Sequence, residues 1–287
     1  MNHPKGSTPA DRYASRRWSR ANLIFLAVFI LLFVYSYYET EIDLFQLFST
    51  DARASLVDFL RGMLSPELSR QFLFSMAQPM AETVQISIMG ILLAILLGFP
   101  LALLATSTLT YTGVLATRSA GGRANKIRYL PYIISRLILN LLRSVPEFIW
   151  ALIFVRALGL GPFAGVLALA AAYGGTLGKI YSEILEKVDP KPIEALAVGG
   201  ASKIKVLLYG YLPQALPDFV SYTLYRWECA IRAAAIVGFV GAGGLGQQLE
   251  ISMRMFRYKE VVTLIIIIFF LVMAVDQLSA AFRKRIL

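Results

Sequence analysis

The stretch ISIMGILLAILLGFPLALLA at residues 86–105 decides the class of fold, because a helix needs about 20 apolar residues to cross a bilayer. It lies within residues 83–117, which hold no charged side chain. The whole 287-residue chain has the same character: 57% is hydrophobic and 16% is charged. A soluble domain carries roughly 25% charged residues. The sequence therefore predicts an all-α, polytopic membrane protein.

Five further segments are candidate spans, which brings the predicted number to about six. They are residues 21–38, 137–158, 157–178, 216–240 and 261–275. The apolar stretch at 21–38 is longer than that of a secretory signal, and no small-residue cleavage site follows it, so we interpret it as a retained first transmembrane helix. Arg143, Glu147 and Arg156 interrupt the segment at 137–158. Pro146 is expected to kink that segment.

The charges between the spans predict the topology. Cytoplasmic segments of membrane proteins carry an excess of Lys and Arg. Basic residues dominate residues 1–20, the C-terminal end and the segment that follows the second span, whose members are Arg118, Arg123, Lys126 and Arg128. Acids dominate residues 39–79. We therefore expect 1–20 to be a cytoplasmic basic tail, 39–79 to be external, and both termini to be cytoplasmic. The net charge of +10 then reports topology and not nucleic-acid binding.

Several functions are disfavoured by what the chain lacks. The chain has one cysteine, Cys229, and one histidine, His3, so it offers no thiolate cluster, internal disulfide or His-based metal site, and we predict no metal. A polytopic membrane enzyme would need acid–base or metal groups clustered near one face. A secondary transporter working alone would show inverted repeats, and none is visible. Gly178-Lys179 lacks the other residues of a phosphate-binding P-loop.

The segment at 183–213 is long for a connector and carries its own helix signals. Asp189-Pro190 is typical of a helix start, and residues 193–198 can form a short helix. Gly199-Gly200 is expected to end it. The segment therefore predicts two short helices separated by a glycine break. Ser202 would cap the second helix, which would run through Leu208, and Pro213 is expected to stop the chain before the next span.

The motif Glu194-Ala195-Leu196, followed by Gly200 and Leu212-Pro213, resembles the EAA signature of ABC importer permeases. Leu196 stands where that signature has a second alanine, and Gly210 stands where isoleucine is usual; both changes keep the helix–glycine–helix plan. The resemblance implies the type I (MetI-like) importer permease fold, with 183–213 as the cytoplasmic loop that couples to an ATPase. The coupling residues it implies are Glu194, Ala195, Gly199, Gly200, Ser202, Leu212 and Pro213.

Residues 80–287 form the predicted core permease domain and are similar, as far as about 285, to the permease subunit of phosphonate, phosphite and hypophosphite importers. The segments that carry this similarity are 143–147, 159–169, 224–228 with Arg232, and 237–246. The similarity implies import of phosphonate-type anions by two copies of this chain, two cytoplasmic ATP-binding subunits and an extracytoplasmic substrate-binding protein in the inner membrane. ATP and Mg²⁺ would bind to the partner ATPase, leaving this chain without a cofactor or enzymatic activity. A permease for phosphite, phosphate or methionine is the alternative.

Five ionisable residues within the predicted spans are candidates for the translocation pathway, since charge at membrane depth is costly and usually faces protein or water. They are Arg143, Glu147, Arg226, Glu228 and Arg232. The i,i+4 spacing of Glu228–Arg232 and of Arg143–Glu147 predicts two ion pairs, in each of which the two side chains neutralise each other. Arg226 or Arg232 can also offer a guanidinium to a phosphorus oxyanion, and partial neutralisation would allow the anion to leave.

The glycine run at 241–246 matches the G-x-G-x-x-G spacing of dinucleotide sites, but it follows a predicted membrane span and not a strand, so we reject that reading. One interpretation is a flexible turn outside the membrane. The family resemblance instead implies a gate beside the outer pathway. The candidate gate residues are Gly241, Gly243, Gly244 and Gly246.

Overall fold

The computed structural model describes residues 20–40, 57, 59–62, 64–110 and 122–286, with the side chains of 20–21, 122–128 and 286 excepted. Arg118, almost all of the basic tail and much of the predicted external segment lie outside the described residues, as do the side chains of Arg123, Lys126 and Arg128. The chain divides into two units, residues 1–59 and residues 60–287.

Every described element is a helix, as the sequence predicted. In chain order they are α1 (Arg20–Glu39), α2 (Arg70–Ser75), α3 (Ala77–Ala105), α4 (Ser107–Thr110), α5 (Gly122–Ser144), α6 (Glu147–Leu158), α7 (Pro162–Glu186), α8 (Pro190–Val198), α9 (Lys203–Val206), a π-helical turn (Leu207–Tyr211), α10 (Leu212–Gly238), α11 (Gly244–Arg254) and α12 (Tyr258–Ile286).

The smaller unit contributes α1, which covers the predicted first span. The side chains described from residue 22 to residue 39 are all exposed, and nearly all of them are apolar. An apolar helix that is exposed all round is typical of a segment solvated by lipid.

The centre of the larger unit is α7 packed against α3, α5 and α10. Small residues allow the close approach: a Cβ placed on Gly98 of α3 would lie 2.7 Å from the carbonyl oxygen of Gly174 on α7. The side chains of Leu169, Leu177 and Leu185 on α7 are fully buried. This packing explains the Ala- and Gly-rich composition of the segment.

The number of spans can be compared with the prediction of six. By length and composition, four stretches of the described residues can cross a membrane, namely Asn22–Glu39, Arg70–Ala105, Pro162–Glu186 and Tyr258–Arg285. The bent pair Tyr129–Ser144 and Glu147–Leu158 would make five. The sixth predicted span lies in α10, whose 27 residues include Asp218, Arg226, Glu228 and Arg232. Its charged side chains make α10 too polar to count as a span by length and composition alone.

Pro146 breaks the third predicted span instead of bending it slightly. α5 and α6 meet at 90° with Val145 and Pro146 between them. Proline disfavours helical backbone at the residue before it and lacks the N–H that a continuing helix needs. The predicted kink is therefore confirmed, and residues 137–158 form two helices.

Candidate functional site

The predicted coupling segment folds as two short helices with a glycine break. The backbone N–H of Lys191 donates to Asp189 Oδ1 at 3.1 Å, so Asp189 caps α8. Gly200 has φ +83°, the left-handed conformation that favours glycine, and this ends α8. Ser202 accepts from the N–H of Lys205 at 3.5 Å and caps α9. These local predictions are confirmed, and α8 begins at Pro190, directly after the predicted cap.

Pro213 does not stop the helix, and this prediction is wrong. α9 ends at Val206 and not at Leu208, and the chain continues through the π-helical turn into α10 without a break. The N–H of Leu212 donates to the carbonyl oxygen of Leu207, five residues earlier. Pro213 is the second residue of α10, and proline is tolerated in the first turn of a helix.

The two helices present an apolar surface away from the bundle. Ile193, Ala197 and Val206 are buried and hold α8 and α9 against the π-helical turn. Val198 is 87% exposed and Ile204 is 70% exposed. Beside them lies a groove of about 730 Å³, lined by Pro192, Ala195, Leu196, Gly199, Gly200, Ala201 and Lys205. Large exposed apolar side chains around a groove are typical of a protein contact surface.

A polar network ties three bundle helices together. Nη2 of Arg136 on α5 lies 2.9 Å from Glu186 Oε1 at the end of α7. The N–H of Ser107 donates to the same oxygen at 2.8 Å, and Nε of Arg136 donates to the carbonyl oxygen of Ala105 at 3.1 Å. The free carbonyl at the end of α3 is thereby satisfied.

Three of the five candidate pathway residues lie near Tyr173 of α7. The hydroxyl of this buried tyrosine interacts electrostatically with Glu147 of α6 and with Arg226 and Arg232 of α10. Arg143 is exposed and is not among those partners. Glu147 on α6 and the two arginines on α10 thus lie near the same side chain, a proximity that the sequence could not show.

Arg226 is held by aromatic side chains. Its Nε and Nη2 donate to Tyr222 Oη at 2.8 and 2.6 Å. The guanidinium carbon also lies 5.1 Å from the ring centroid of Tyr222 and 5.6 Å from that of Tyr225, within the range of cation–π contacts. These contacts orient the guanidinium without cancelling its charge.

The prediction that Glu228 and Arg232 neutralise each other is wrong. Glu228 is buried, and its Oε1 lies 2.8 Å from Nη2 of Arg283 on α12. Arg232 is exposed, and its Nε donates to the backbone oxygen of Glu228 at 3.3 Å instead. A buried carboxylate is costly unless a cation pairs with it, and here that cation comes from another helix.

The predicted Arg143–Glu147 pair is wrong as well. No ion pair among the described residues joins Arg143 to Glu147. The 90° break between α5 and α6 falls between the two residues, so they do not share a helix face.

Arg232 lies on an exposed stripe of α10. Tyr225, Arg232, Ile236 and Phe239 are exposed, and Cys229 between them is half-buried. Steps of four and three residues keep all five within one face of the helix. The other sides of α10 pack on α3, α7, α11 and α12. This stripe therefore leaves the charge of Arg232 accessible.

The glycine run forms the turn between α10 and α11. Gly241, Gly243 and Gly244 have φ of +88°, +85° and +72°. The N–H groups that begin α11 are satisfied by α3, because Gly244 donates to Glu82 Oε2 at 3.2 Å and Leu245 donates to Thr83 Oγ1 at 2.9 Å. A hydroxyl and a carboxylate are the groups that a helix N-terminus favours.

The same turn is densely packed. A Cβ on Gly244 would lie 2.6 Å from Thr83 Oγ1, and one on Gly246 would overlap the carbonyl oxygen of Ala235. The N–H of Gly161 donates to the carbonyl oxygen of Gly241 at 2.9 Å and joins this turn to the one between α6 and α7. The geometry is that of a fixed corner and not of a loose turn, while the gate role stays a prediction.

Sequence reasoning missed several residues that the site uses. Tyr173 and Tyr222 are aromatic residues in apolar runs and carry no distinguishing signal. Arg283 was counted only as a topology charge. Glu82 immediately precedes the charge-free stretch, and that position was the one available hint of its capping role. Within the described residues, no group of three or more His, Cys, Asp or Glu side chains could hold a metal ion.

Comparison with known proteins defines the class. Residues 113–287 match the family described as binding-protein-dependent transport system inner membrane component, so the chain belongs to that family. It is therefore an inner-membrane permease component of a transport system, as the sequence predicted.

Particular relatives refine this assignment. The phosphite transport system permease protein PtxC of Stutzerimonas stutzeri is 37% identical over 211 residues, which cover 74% of this chain and 71% of PtxC. The phosphate-import permease protein PhnE of Mycolicibacterium smegmatis is 35% identical over 206 residues, which cover 72% of this chain and 36% of that protein.

A solved structure shares the fold. A chain of the MetNI methionine ABC transporter, in an inward-facing conformation, superposes with a TM-score of 0.63 at 20% identity, over 77% of this chain and 100% of that one. The predicted MetI-like type I permease fold is confirmed.

Proposed function

We propose that this chain is the transmembrane permease of an ATP-driven importer for phosphorus oxyanions, of the phosphonate and phosphite type. The observation that carries the proposal is the exposed two-helix segment α8–α9 with its groove, on a chain of the binding-protein-dependent permease family. The names of the relatives PtxC and PhnE support the substrate class. ATP and Mg²⁺ bind to the partner ATPase, and this chain performs no hydrolysis.

The groove beside Ala195 and Gly200 and the exposed side chains of Val198 and Ile204 receive the cytoplasmic ATPase. Because α9, the π-helical turn and α10 are continuous, a displacement of α9 is passed to α10 as motion of one stiff rod. From Lys203 to Arg232 that rod is about 44 Å long at 1.5 Å per residue. Movement at the ATPase therefore reaches the arginines of the pathway.

Two copies of the chain form the pathway, each contributing the exposed stripe of α10. Arg232 on that stripe and the oriented guanidinium of Arg226, beside Tyr225, meet the anion. Guanidinium suits phosphorus–oxygen groups because it makes bidentate, charge-assisted hydrogen bonds. Glu147, near the same tyrosine, weakens the local positive field so that the anion can leave.

The topology follows the charge bias of the sequence. Both termini and the α8–α9 segment lie in the cytoplasm, and residues 39–79 lie outside. An extracytoplasmic binding protein delivers the anion to the end of the bundle where the glycine turn lies. Binding protein and ATP must favour the same conformational state for transport to be coupled.

Co-purification tests the coupling. The permease is tagged and co-expressed with its ATPase. We expect Glu194→Lys and Val198→Asp each to lower the amount of ATPase retained at least about tenfold. The first substitution reverses a charge on the proposed contact surface, and the second places a charge on its apolar part. Glu67→Lys, far along the chain at the start of the larger unit, is the control and should leave retention unchanged. Retention of the ATPase by all three variants would refute the assigned docking surface.

Uptake by the complete assembly tests the substrate. We expect ATP-dependent uptake of labelled phosphite and methylphosphonate and no uptake of methionine. Arg226→Ala and Arg232→Ala should each lower uptake about tenfold or more at normal membrane abundance. Unchanged uptake in both variants would remove the arginines from the pathway, and methionine uptake would overturn the substrate class.

A further inference from the structure

A second cavity, with charged residues in its lining, lies at the end of the bundle opposite α8 and α9. It has a volume of about 670 Å³ and opens to the surroundings. Its walls come from the end of α6, the α6–α7 turn, the α10–α11 turn and α11. The lining residues are Leu152, Val155, Arg156, Gly159, Leu160, Phe239, Val240, Gly241, Gln247, Glu250 and Arg254.

This cavity continues the exposed stripe of α10. Phe239 is the last residue of that stripe and also lines the cavity. The carbonyl oxygen of Gly241 accepts from Gly161, so the two turns that form the rim are hydrogen-bonded to each other. The cavity is thus a built opening at the outer end of the same face that carries Arg232.

The charges in the cavity favour an anion. Arg156 is exposed and takes part in none of the ion pairs among the described residues. Arg254 forms an i,i+4 ion pair with Glu250 and remains 81% exposed. Two guanidinium groups against one carboxylate leave a net charge of +1, and Gln247 adds an amide donor.

We propose that this cavity is an outer binding site for phosphorus oxyanions, in which Arg156 and Arg254 bind the anion before it reaches Arg232. The inference rests on the proposed function. Arg156 supplies an uncommitted bidentate donor, and the arriving anion competes with Glu250 for Arg254. Glu250 therefore sets a limit on affinity, which a site on a transport route needs if the anion is to move on.

The volume agrees with this assignment. Small-molecule sites are typically about 300–1,000 Å³. A cavity of this size holds a phosphite or a small phosphonate together with part of its hydration shell. The open rim allows delivery from a binding protein without closure around the ligand.

The test uses the complete transporter in lipid nanodiscs, titrated with sodium phosphite by calorimetry. We expect Arg156→Gln to raise the Kd about tenfold and Arg156→Lys to raise it less, because lysine keeps the charge without the bidentate fork. Glu250→Gln should lower the Kd about threefold, because Arg254 is released from its partner. A gain of affinity is not expected from a variant that merely damages the fold.

Arg257→Gln is the matched control, since Arg257 is an exposed arginine of the next loop and does not line the cavity. Phosphite affinities equal to wild type in the Arg156 and Glu250 variants would overturn the inference. So would an Arg156→Gln variant that loses affinity only for the substrate-binding protein, because the cavity would then be a protein contact. If the wild-type assembly neither binds nor imports phosphite or phosphonate, the proposed function fails too; wild-type import with unaffected variants refutes the outer site alone.

Discussion

Two glycine turns flank the long continuous helix that ends at Gly238, and they use glycine for different reasons. At Gly200 the backbone has φ +83°, and a Cβ would meet nothing within 4 Å. At Gly246 a Cβ would overlap the backbone of Ala235. The first turn needs glycine for its conformation alone, whereas the second needs it both for the positive φ of Gly241, Gly243 and Gly244 and for space at Gly246.

The comparison shows how each end of the helix is built. The end that carries α8 and α9 is stabilised by local caps and exposes apolar side chains. The opposite end is stabilised by contacts between distant segments, since Thr83 on α3 satisfies the N–H of Leu245 on α11. We therefore expect substitutions at the coupling end to affect stability little and those at the opposite end to affect it strongly.

The largest expected effect is that of Gly246→Ala. The added methyl group forces α10 and α11 apart, and we expect a loss of about 3 kcal/mol in the free energy of unfolding. The thermal unfolding midpoint of the purified complex and its membrane abundance report this loss. Gly174→Ala is the control, because a Cβ there would be 3.5 Å from its nearest neighbour. A wild-type midpoint for Gly246→Ala would show that the turn between α10 and α11 is not limited by space.

A smaller loss is expected for Thr83→Val, which keeps the shape but leaves the buried N–H of Leu245 without its acceptor. Such an unpaired group costs about 2 kcal/mol. Thr176→Val is the matched variant, since that hydroxyl donates to Ala172 of its own helix at 3.1 Å and caps nothing. If both variants lower the unfolding midpoint equally, the hydrogen bond from Leu245 to Thr83 stabilises the fold no more than a bond within one helix does.

Gly200→Ala should cost about 1 kcal/mol, because an L side chain disfavours positive φ while the surrounding space is open. Asparagine tolerates this conformation better, so Gly200→Asn should cost less. The thermal unfolding midpoints of the two variants, measured in the same complex, test this: that of Gly200→Asn should be the higher. An equal or reversed order would mean that the position is not limited by its backbone conformation.

The smallest effect is expected for the neighbouring Gly199→Ala. Gly199 has φ −66°, and a Cβ would lie 3.4 Å from its nearest neighbour. Alanine is compatible there, so we expect a change within about 0.5 kcal/mol or a slight stabilisation. A marked drop of the unfolding midpoint would show that the coupling segment is more tightly packed than its contacts indicate.

The coupling segment was predictable because its signals are local. Asp189 and Ser202 cap N–H groups two or three residues ahead of them. The positive φ of Gly200 depends only on the backbone of that residue. Pro213 misled the prediction because a π-helical turn, set by the packing of residues 207–211, moved it into a tolerated position.

The ionisable residues of the candidate pathway could be identified from the sequence, but their pairing could not. The sequence identified Glu228 and Arg232 as ionisable residues in a span, and spacing alone suggested that they pair. The partner of Glu228 is Arg283 on the last helix, and Glu147, Arg226 and Arg232 lie near the same tyrosine of a third helix. No pattern along the chain encodes those distances.

Local patterns in the sequence were enough to predict a helical membrane permease, to place its first spans and the helices α8 and α9, and to identify the ionisable residues in its apolar segments. Hydropathy, capping and turn conformation depend on neighbours within about four residues. The folded arrangement of the helices was needed to show which carboxylate meets which arginine, that the turn at 241–246 is a packed corner, and that Arg156 and Arg254 share a cavity. Those features depend on how distant helices approach one another, and the packing of small residues along α7 and α10 sets that approach.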